Sequence, residues 1–274
     1  MAVKRPAGYQ TFCYVVLLFV MVLYLVPLYF ALNVSLKTSR EFIQNSVGLT
    51  KSWAFGNYIT AWQRASLGNY ILNSVLYTSV CTCLSLMLSL FVAFPIARKY
   101  VPFSNVWYYL FVCGLFLPNG MIPLFQIILR IGLYNTRPGY MLVMTGVNAT
   151  SVFFFTGFLK SIPKDMDDAA AIDGCSYFKY MLNCVIPLSK TALTSMGILT
   201  MIGVWNDIIS STIYLTDAKI YNITRGLFAF TGQYQNNWTL MAAAMFIVAS
   251  PLIAAYVAGQ RFIVSGIMAG GLKA

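Results

Sequence analysis

Histidine is absent from all 274 residues. Catalysis by an imidazole base, Ser-His-Asp triads and His-ligated metals are thereby excluded. Charge is scarce too: Asp, Glu, Lys and Arg make up 9% of the chain, and only seven of those residues are acidic. No Gly-Lys pair occurs, so there is no Gly-x-x-x-x-Gly-Lys-Ser/Thr loop to cradle a nucleotide. The cysteines Cys13, Cys81, Cys83, Cys113, Cys175 and Cys184 lie in or beside apolar stretches, where a thiol packs as a small hydrophobe. Cys81 and Cys83 would point in different directions on a helix, so they form no metal pair, and no metal site is expected.

What fills the chain instead is hydrophobic: 59% of residues, with a mean hydropathy of +0.73. That leaves too little polar surface to cover a soluble globule, so apolar side chains must face lipid. Stretches without Asp, Glu, Lys or Arg run over 11–36, 65–97, 100–129, 138–159 and 226–260, with a shorter sixth over 191–206. The long ones supply the roughly 20 apolar residues of a spanning helix. The first run follows Lys4 and Arg5 as a signal peptide would, but it is longer than such a segment and lacks a small-x-small cleavage site, so it stays as a helix.

The expected architecture is an all-α integral membrane protein of six transmembrane helices, at about 11–34, 70–96, 104–129, 139–160, 188–208 and 238–260. Pro118-Asn119-Gly120 and Pro123 interrupt the third, which lipid tolerates only where neighbours or a watery cavity satisfy the freed carbonyls. Trp53, Tyr58 and Trp62 in the first loop suit a membrane interface. No repeat or linker divides the chain, so 1–274 reads as one transmembrane domain. The net charge of +11 is read against the membrane, not against nucleic acid. With both termini inside, ten of the eighteen basic residues are cytoplasmic, a margin too thin to fix orientation by itself.

The segment 161–187 differs in kind. It holds four of the seven acids: Asp165, Asp167, Asp168 and Asp173. Ser161 with Pro163 reads as a helix start, the first three acids favour the positive end of that short helix, and Gly174 supplies its stop. Ala169, Ala170 and Ala171 make a thin surface suited to another protein's groove, and Pro187 opens the next span.

Asp168-Ala169-Ala170-Ala171-Ile172-Asp173-Gly174, followed by Cys184-Val185-Ile186-Pro187, resembles the Glu-Ala-Ala-x-x-Asp-Gly…Ile-x-Leu-Pro signature of bacterial ABC importer permeases. Departures are Asp168 for Glu, Cys184 for Ile and Ile186 for Leu. The tail from Gln260 to Lys273 looks like that of maltose-type carbohydrate permeases, and Trp205-Asn206-Asp207, Ala97-Arg98 and Asn73-Ser74 agree with the same group.

The resemblance implies a cytoplasmic coupling helix between helices four and five, with Asp168, Ala169, Ala170, Asp173, Gly174 and Pro187 as its ATPase-coupling residues. It also implies a multi-pass protein of the bacterial cytoplasmic membrane that is no enzyme and holds no cofactor, ATP and Mg belonging to a partner ATPase. The implied partners are a second homologous permease, two ATPase subunits, an extracellular solute-binding protein and a sugar, with no nucleic acid. Asn119, Asn148, Asn206 and Asp207 are candidates for the substrate path, against the plainer reading of interhelical hydrogen bonds. Alternatives are an ABC permease for another small solute, or a secondary transporter, which would usually carry carboxylates within its helices.

Overall fold

The computed structural model describes residues 7–118, 120–230 and 237–271, the side chains of 7, 10, 229 and 261–271 excepted. Asn119 and the side chains of the tail beyond Gln260 therefore lie outside the described residues, as do Lys4 and Arg5. Helix accounts for 78% of the structure, with no strand among the described residues.

Helix α1 (Ala7–Ser35) carries no charged residue, and its side chains over 14–30 are all exposed, as those of a lipid-facing helix can be. Short helices α2 (Ser39–Gln44) and α3 (Gly56–Arg64) lead to α4 (Leu67–Arg98), which matches the expected second span. Helix α4 stops in a Schellman turn: Lys99 is left-handed at φ +59°, its N–H donates to the Ile96 carbonyl, and Tyr100 N–H donates to the Pro95 carbonyl at 2.9 Å. The third segment is interrupted at Pro118, giving α5 (Ser104–Gly114) and α6 (Met121–Arg130) on either side of it, whereas Pro123, expected to interrupt it too, sits in the first turn of α6, where a proline breaks nothing.

The fourth segment departs from the single helix expected over 139–160. It is two helices, α7 (Arg137–Met144) and α8 (Ala149–Lys160), bent by 51°. Asn148 is extended and its Oδ1 accepts from Thr150 N–H and Ser151 N–H, so it starts a new helix where hydropathy alone sees continuity.

Helix α9 (Asp165–Ile172) follows, then α10 (Tyr177–Tyr180), a π turn over Met181–Val185, α11 (Ile186–Leu188) and α12 (Lys190–Trp205). Two expectations are corrected here. Ser161 ends α8, its Oγ donating to the Phe158 carbonyl, and does not start α9. Pro187 does not open the fifth span either: it sits within the helical stretch 177–188, which bends by 80° before α12 begins at Lys190. The wider π turn just before Pro187 has already left the i−4 register that a proline ring would obstruct.

Helix α13 (Ile209–Tyr214), a 3₁₀ turn (Ala218–Ile220), α14 (Ile223–Gly226), a second 3₁₀ turn (Leu227–Phe230) and α15 (Trp238–Gly271) complete the chain. Among the described residues, three helices are long and apolar enough to cross a membrane, over 11–35, 67–98 and 238–260; each bent pair counted as one span makes five. Helices α5 and α6 lie over the expected third segment as two short pieces and stand outside that count.

The chain forms two compact units, 1–67 with 226–250, and 68–225 with 251–274. In the first, Lys37 is fully buried and donates to the carbonyls of Asn45 and Ser46, while Asn57 Nδ2 donates to those of Ser35 and Lys37. A buried ammonium needs such acceptors, and the loop between α1 and α3 is organised around providing them. Two cores stand out among the described residues of the second unit. One gathers Leu90, Phe94, Phe155, Leu159, Met181 and Ala192; the other gathers Tyr77, Ile128, Tyr140, Tyr214 and Leu215.

Candidate functional site

Helix α9 carries three aspartates in its first turn, where the orphan N–H groups favour negative charge. They do not share one environment. Asp165 and Asp168 are exposed, whereas Asp167 is buried.

Asp167 lies against Arg98, the last residue of α4. Arg98 Nε is 2.6 Å from Oδ2 and Nη2 is 3.2 Å from Oδ1, with the two side chains 2% and 5% exposed. Tyr100 donates to Oδ2 at 3.1 Å and Tyr180 to Oδ1 at 2.5 Å. Arg98 Nη1 also donates to the Ile162 carbonyl at 2.9 Å, and the guanidinium sits over the Phe94 ring at 5.9 Å. Every charge in the cluster is therefore both paired and hydrogen-bonded, the condition under which a buried ion pair is tolerable. Burial pushes the Tyr100 phenol above its usual range, and the hydrogen bond to Asp167 adds to that, so Tyr100 remains a donor.

Sequence reasoning passed over Asp167 in favour of Asp168. The adjacent pair signals only that the two acids face different directions on the helix; which of them turns inward is set by the packing against Arg98.

At its other end, α9 closes in a Schellman turn. Asp173 is the C-cap, Gly174 is left-handed at φ +66°, its N–H donates to the Ala171 carbonyl at 3.1 Å, and Cys175 N–H donates to the Ala170 carbonyl at 2.9 Å. Ala170 is half-buried and packs with Cys175 against the core, while Ala169, Asp168 and Asp173 are exposed. Ile172 is 86% exposed and Phe178 is 68% exposed, so an apolar rim flanks the exposed acids. Pro187 is exposed and stands apart in sequence, past the π turn.

The substrate-path candidates separate. Asn148 is exposed at the bend between α7 and α8. Two serines one turn apart on α4 hold that bend: Ser85 Oγ accepts from Gly146 N–H at 3.3 Å and Ser89 Oγ from Asn148 N–H at 3.1 Å. The bend borders a cavity of about 680 Å³ lined by Ser85, Asn148, Thr150, Thr200 and apolar side chains of α7 and α12. A second, mostly apolar cavity of about 490 Å³ lies along α4, α12 and Pro251. Asn206 is exposed at the C-terminus of α12 and lines neither cavity.

Asp207 is fully employed in the fold. Its Oδ1 accepts from Ser210 N–H at 3.1 Å and its Oδ2 from Ser211 N–H at 2.8 Å and the Tyr140 hydroxyl at 2.9 Å, so it caps α13 and ties it to α7. Asn119 lies outside the described residues.

Residues 82–268 match the family model described as "Binding-protein-dependent transport system inner membrane component". The chain is 29% identical over 252 residues to the melibiose/raffinose/stachyose import permease protein MelC of Bacillus subtilis, covering 90% of this chain and 91% of that one. It is 30% identical over 256 residues to the probable starch degradation products transport system permease protein AmyC of Thermoanaerobacterium thermosulfurigenes, covering 92% of each. In fold it resembles a chain from the crystal structure of a bacterial ABC transporter involved in the import of the acidic polysaccharide alginate. The TM-score is 0.82 at 20% identity, over 94% of this chain and 98% of that one.

Proposed function

The chain belongs to the family of binding-protein-dependent transport system inner membrane components, and on that premise we propose that it is the permease subunit of an ATP-driven importer of oligosaccharides. It is a multi-pass protein of the cell membrane, and its family is one of permeases. The sugar class is carried by one observation: oligosaccharide permeases align with this chain over nine-tenths of both lengths. In this reading the whole chain acts as one transmembrane domain with both termini in the cytoplasm. Two ATPase subunits hydrolyse ATP with Mg, a second homologous permease completes the pore, and an extracellular binding protein delivers the sugar.

Helix α9 is the element that engages the ATPase. Its exposed Asp168, Ala169 and Asp173 and its Gly174 stop present a small acidic surface with Ile172 beside it, while Ala170 seats the helix against the permease core. The cavity at the α7–α8 bend lines the solute path, with the Asn148 amide and the Thr150 and Thr200 hydroxyls as partners for sugar hydroxyls. Broken helices are found at membrane depth where they line such a cavity.

The test is uptake by the assembled transporter in proteoliposomes with its binding protein, offered labelled raffinose and malto-oligosaccharides in competition with an acidic uronate oligomer. ATP-dependent uptake of the neutral sugars is expected. Uptake of the uronate oligomer alone would keep the oligosaccharide assignment and change its charge class, whereas uptake of none of the three, with a non-sugar solute accumulating, would remove that assignment while leaving the permease in place.

A further inference from the structure

Within the coupling reading, on which this inference rests, we propose that the Asp167–Arg98 pair is a mechanical lock that makes α9 move as one piece with the end of α4, so that breaking it lets ATP hydrolysis run without transport.

The geometry of α9 sets the problem. It has eight residues and two loop ends, and apart from Asp167 and half-buried Ala170 its side chains are exposed. A helix so lightly seated yields to a push unless something fastens it. One carboxylate does the fastening: Asp167 gathers Arg98 from the end of α4, Tyr100 just beyond it and Tyr180 from α10. Arg98 in turn holds the Ile162 carbonyl on the approach to α9. Four segments thus meet at one ion pair, the only salt bridge among the described residues.

The destination of the push is set by α4. Nine residues back from Arg98, about 14 Å along the axis, Ser89 holds the α7–α8 bend. Ser85, one turn further on, holds the same bend and lines the cavity. A displacement of α9 passed to Arg98 therefore reaches the broken helix through one continuous α-helix.

Stability alone explains the pair poorly. A buried ion pair is often no better than a well-packed apolar pair, because desolvation offsets the attraction. Its fixed, multiply bonded geometry is what an apolar pair cannot supply.

The test compares the assembled transporter carrying Asp167→Asn, Tyr180→Phe or the exchange Asp167→Arg with Arg98→Asp, using exposed Asp165→Asn as the control. Two quantities are read: ATP hydrolysis stimulated by the loaded binding protein, and solute taken up per ATP hydrolysed. For Asp167→Asn, uptake per ATP should fall by roughly tenfold while stimulated hydrolysis stays within about twofold, a change in the range of known coupling energies. Tyr180→Phe should show a smaller fall, the exchange should recover part of the ratio, and Asp165→Asn should change neither.

Uptake per ATP unchanged in Asp167→Asn would overturn the lock, as would hydrolysis and uptake falling together at equal amounts of assembled protein. If Asp167→Asn does not assemble, Tyr180→Phe decides by the same two readouts. Failure of the coupling reading itself appears separately, as a wild-type complex that neither retains nor stimulates an ATPase.

Discussion

Gly174 is left-handed at φ +66°, and a Cβ built there meets nothing within 4 Å. The demand on this position is therefore conformational, not steric. Alanine should cost about 1–2 kcal/mol of local stability, asparagine less, and a β-branched residue more, because only the backbone preference changes. Under the proposed coupling role, Gly174→Asn should retain uptake, whereas Gly174→Val should insert and co-purify with its partners yet transport poorly. Uptake assays on equal amounts of assembled protein check the order; normal uptake by Gly174→Val would remove α9 from the coupling path. The residues around it show what sequence can reach. Gly174 as a stop is readable because a positive φ favours one residue type. Choosing Asp167 over Asp168 as the buried acid is not, because that depends on which way α9 rolls against Arg98, a tertiary fact.

The elements that defeated the periodicity reading are those whose ends are set by partners on another helix. Uncharged runs locate α1, α4 and the start of α15 to within a few residues, since length and apolarity suffice there. The α7–α8 bend is different: Thr145-Gly146-Val147-Asn148 carries a capping signal, but α4 supplies the serines that accept two of its backbone N–H groups. Replacing both Ser85 and Ser89 with alanine should leave those donors unmatched at about 1–3 kcal/mol each where they are shielded from water, lowering the thermal midpoint in detergent. An unchanged midpoint would mean that other acceptors replace them.

In the short helix α2, Glu41 accepts from Lys51 N–H at 2.7 Å and from the Ser52 hydroxyl. The Ser52 hydrogen bond first, and then the Lys51 N–H, hold its carboxyl below the usual value. A depressed folded pKa stabilises the loop above the unfolded pKa, and that support is lost as pH falls through the folded value. Amide protection factors across 38–52 should therefore fall on acidification below about pH 4.5, the ordinary glutamate value, and Glu41→Gln should be less protected at neutral pH with little further loss of protection in acid.

At the scale of the whole molecule, the question is what drives it. Ion-coupled carriers place titrating carboxylates where an ion can reach them inside the membrane. All seven acids of this chain are among the described residues: Glu41 is in the short helix α2, Asp217 is in a loop, Asp165, Asp167, Asp168 and Asp173 are on or beside α9, and Asp207 stands between α12 and α13. Only Asp207 has the position for ion coupling, and both its oxygens are occupied by Ser210, Ser211 and Tyr140. Titrating or metallating it would undo the cap of α13. Replacing Asp207 with alanine should accordingly cost about 1–2 kcal/mol as a lost cap, reducing the amount of folded protein without changing what drives the remainder. Ionophores that collapse proton and sodium gradients should leave uptake intact in vesicles loaded with ATP, and uptake should cease when ATP is withdrawn with those gradients maintained. Gradient-driven uptake without ATP, lost in Asp207→Asn, would reverse the assignment, because this chain would then be using its one well-placed carboxylate as an ion site and α9 would have no motor to answer to.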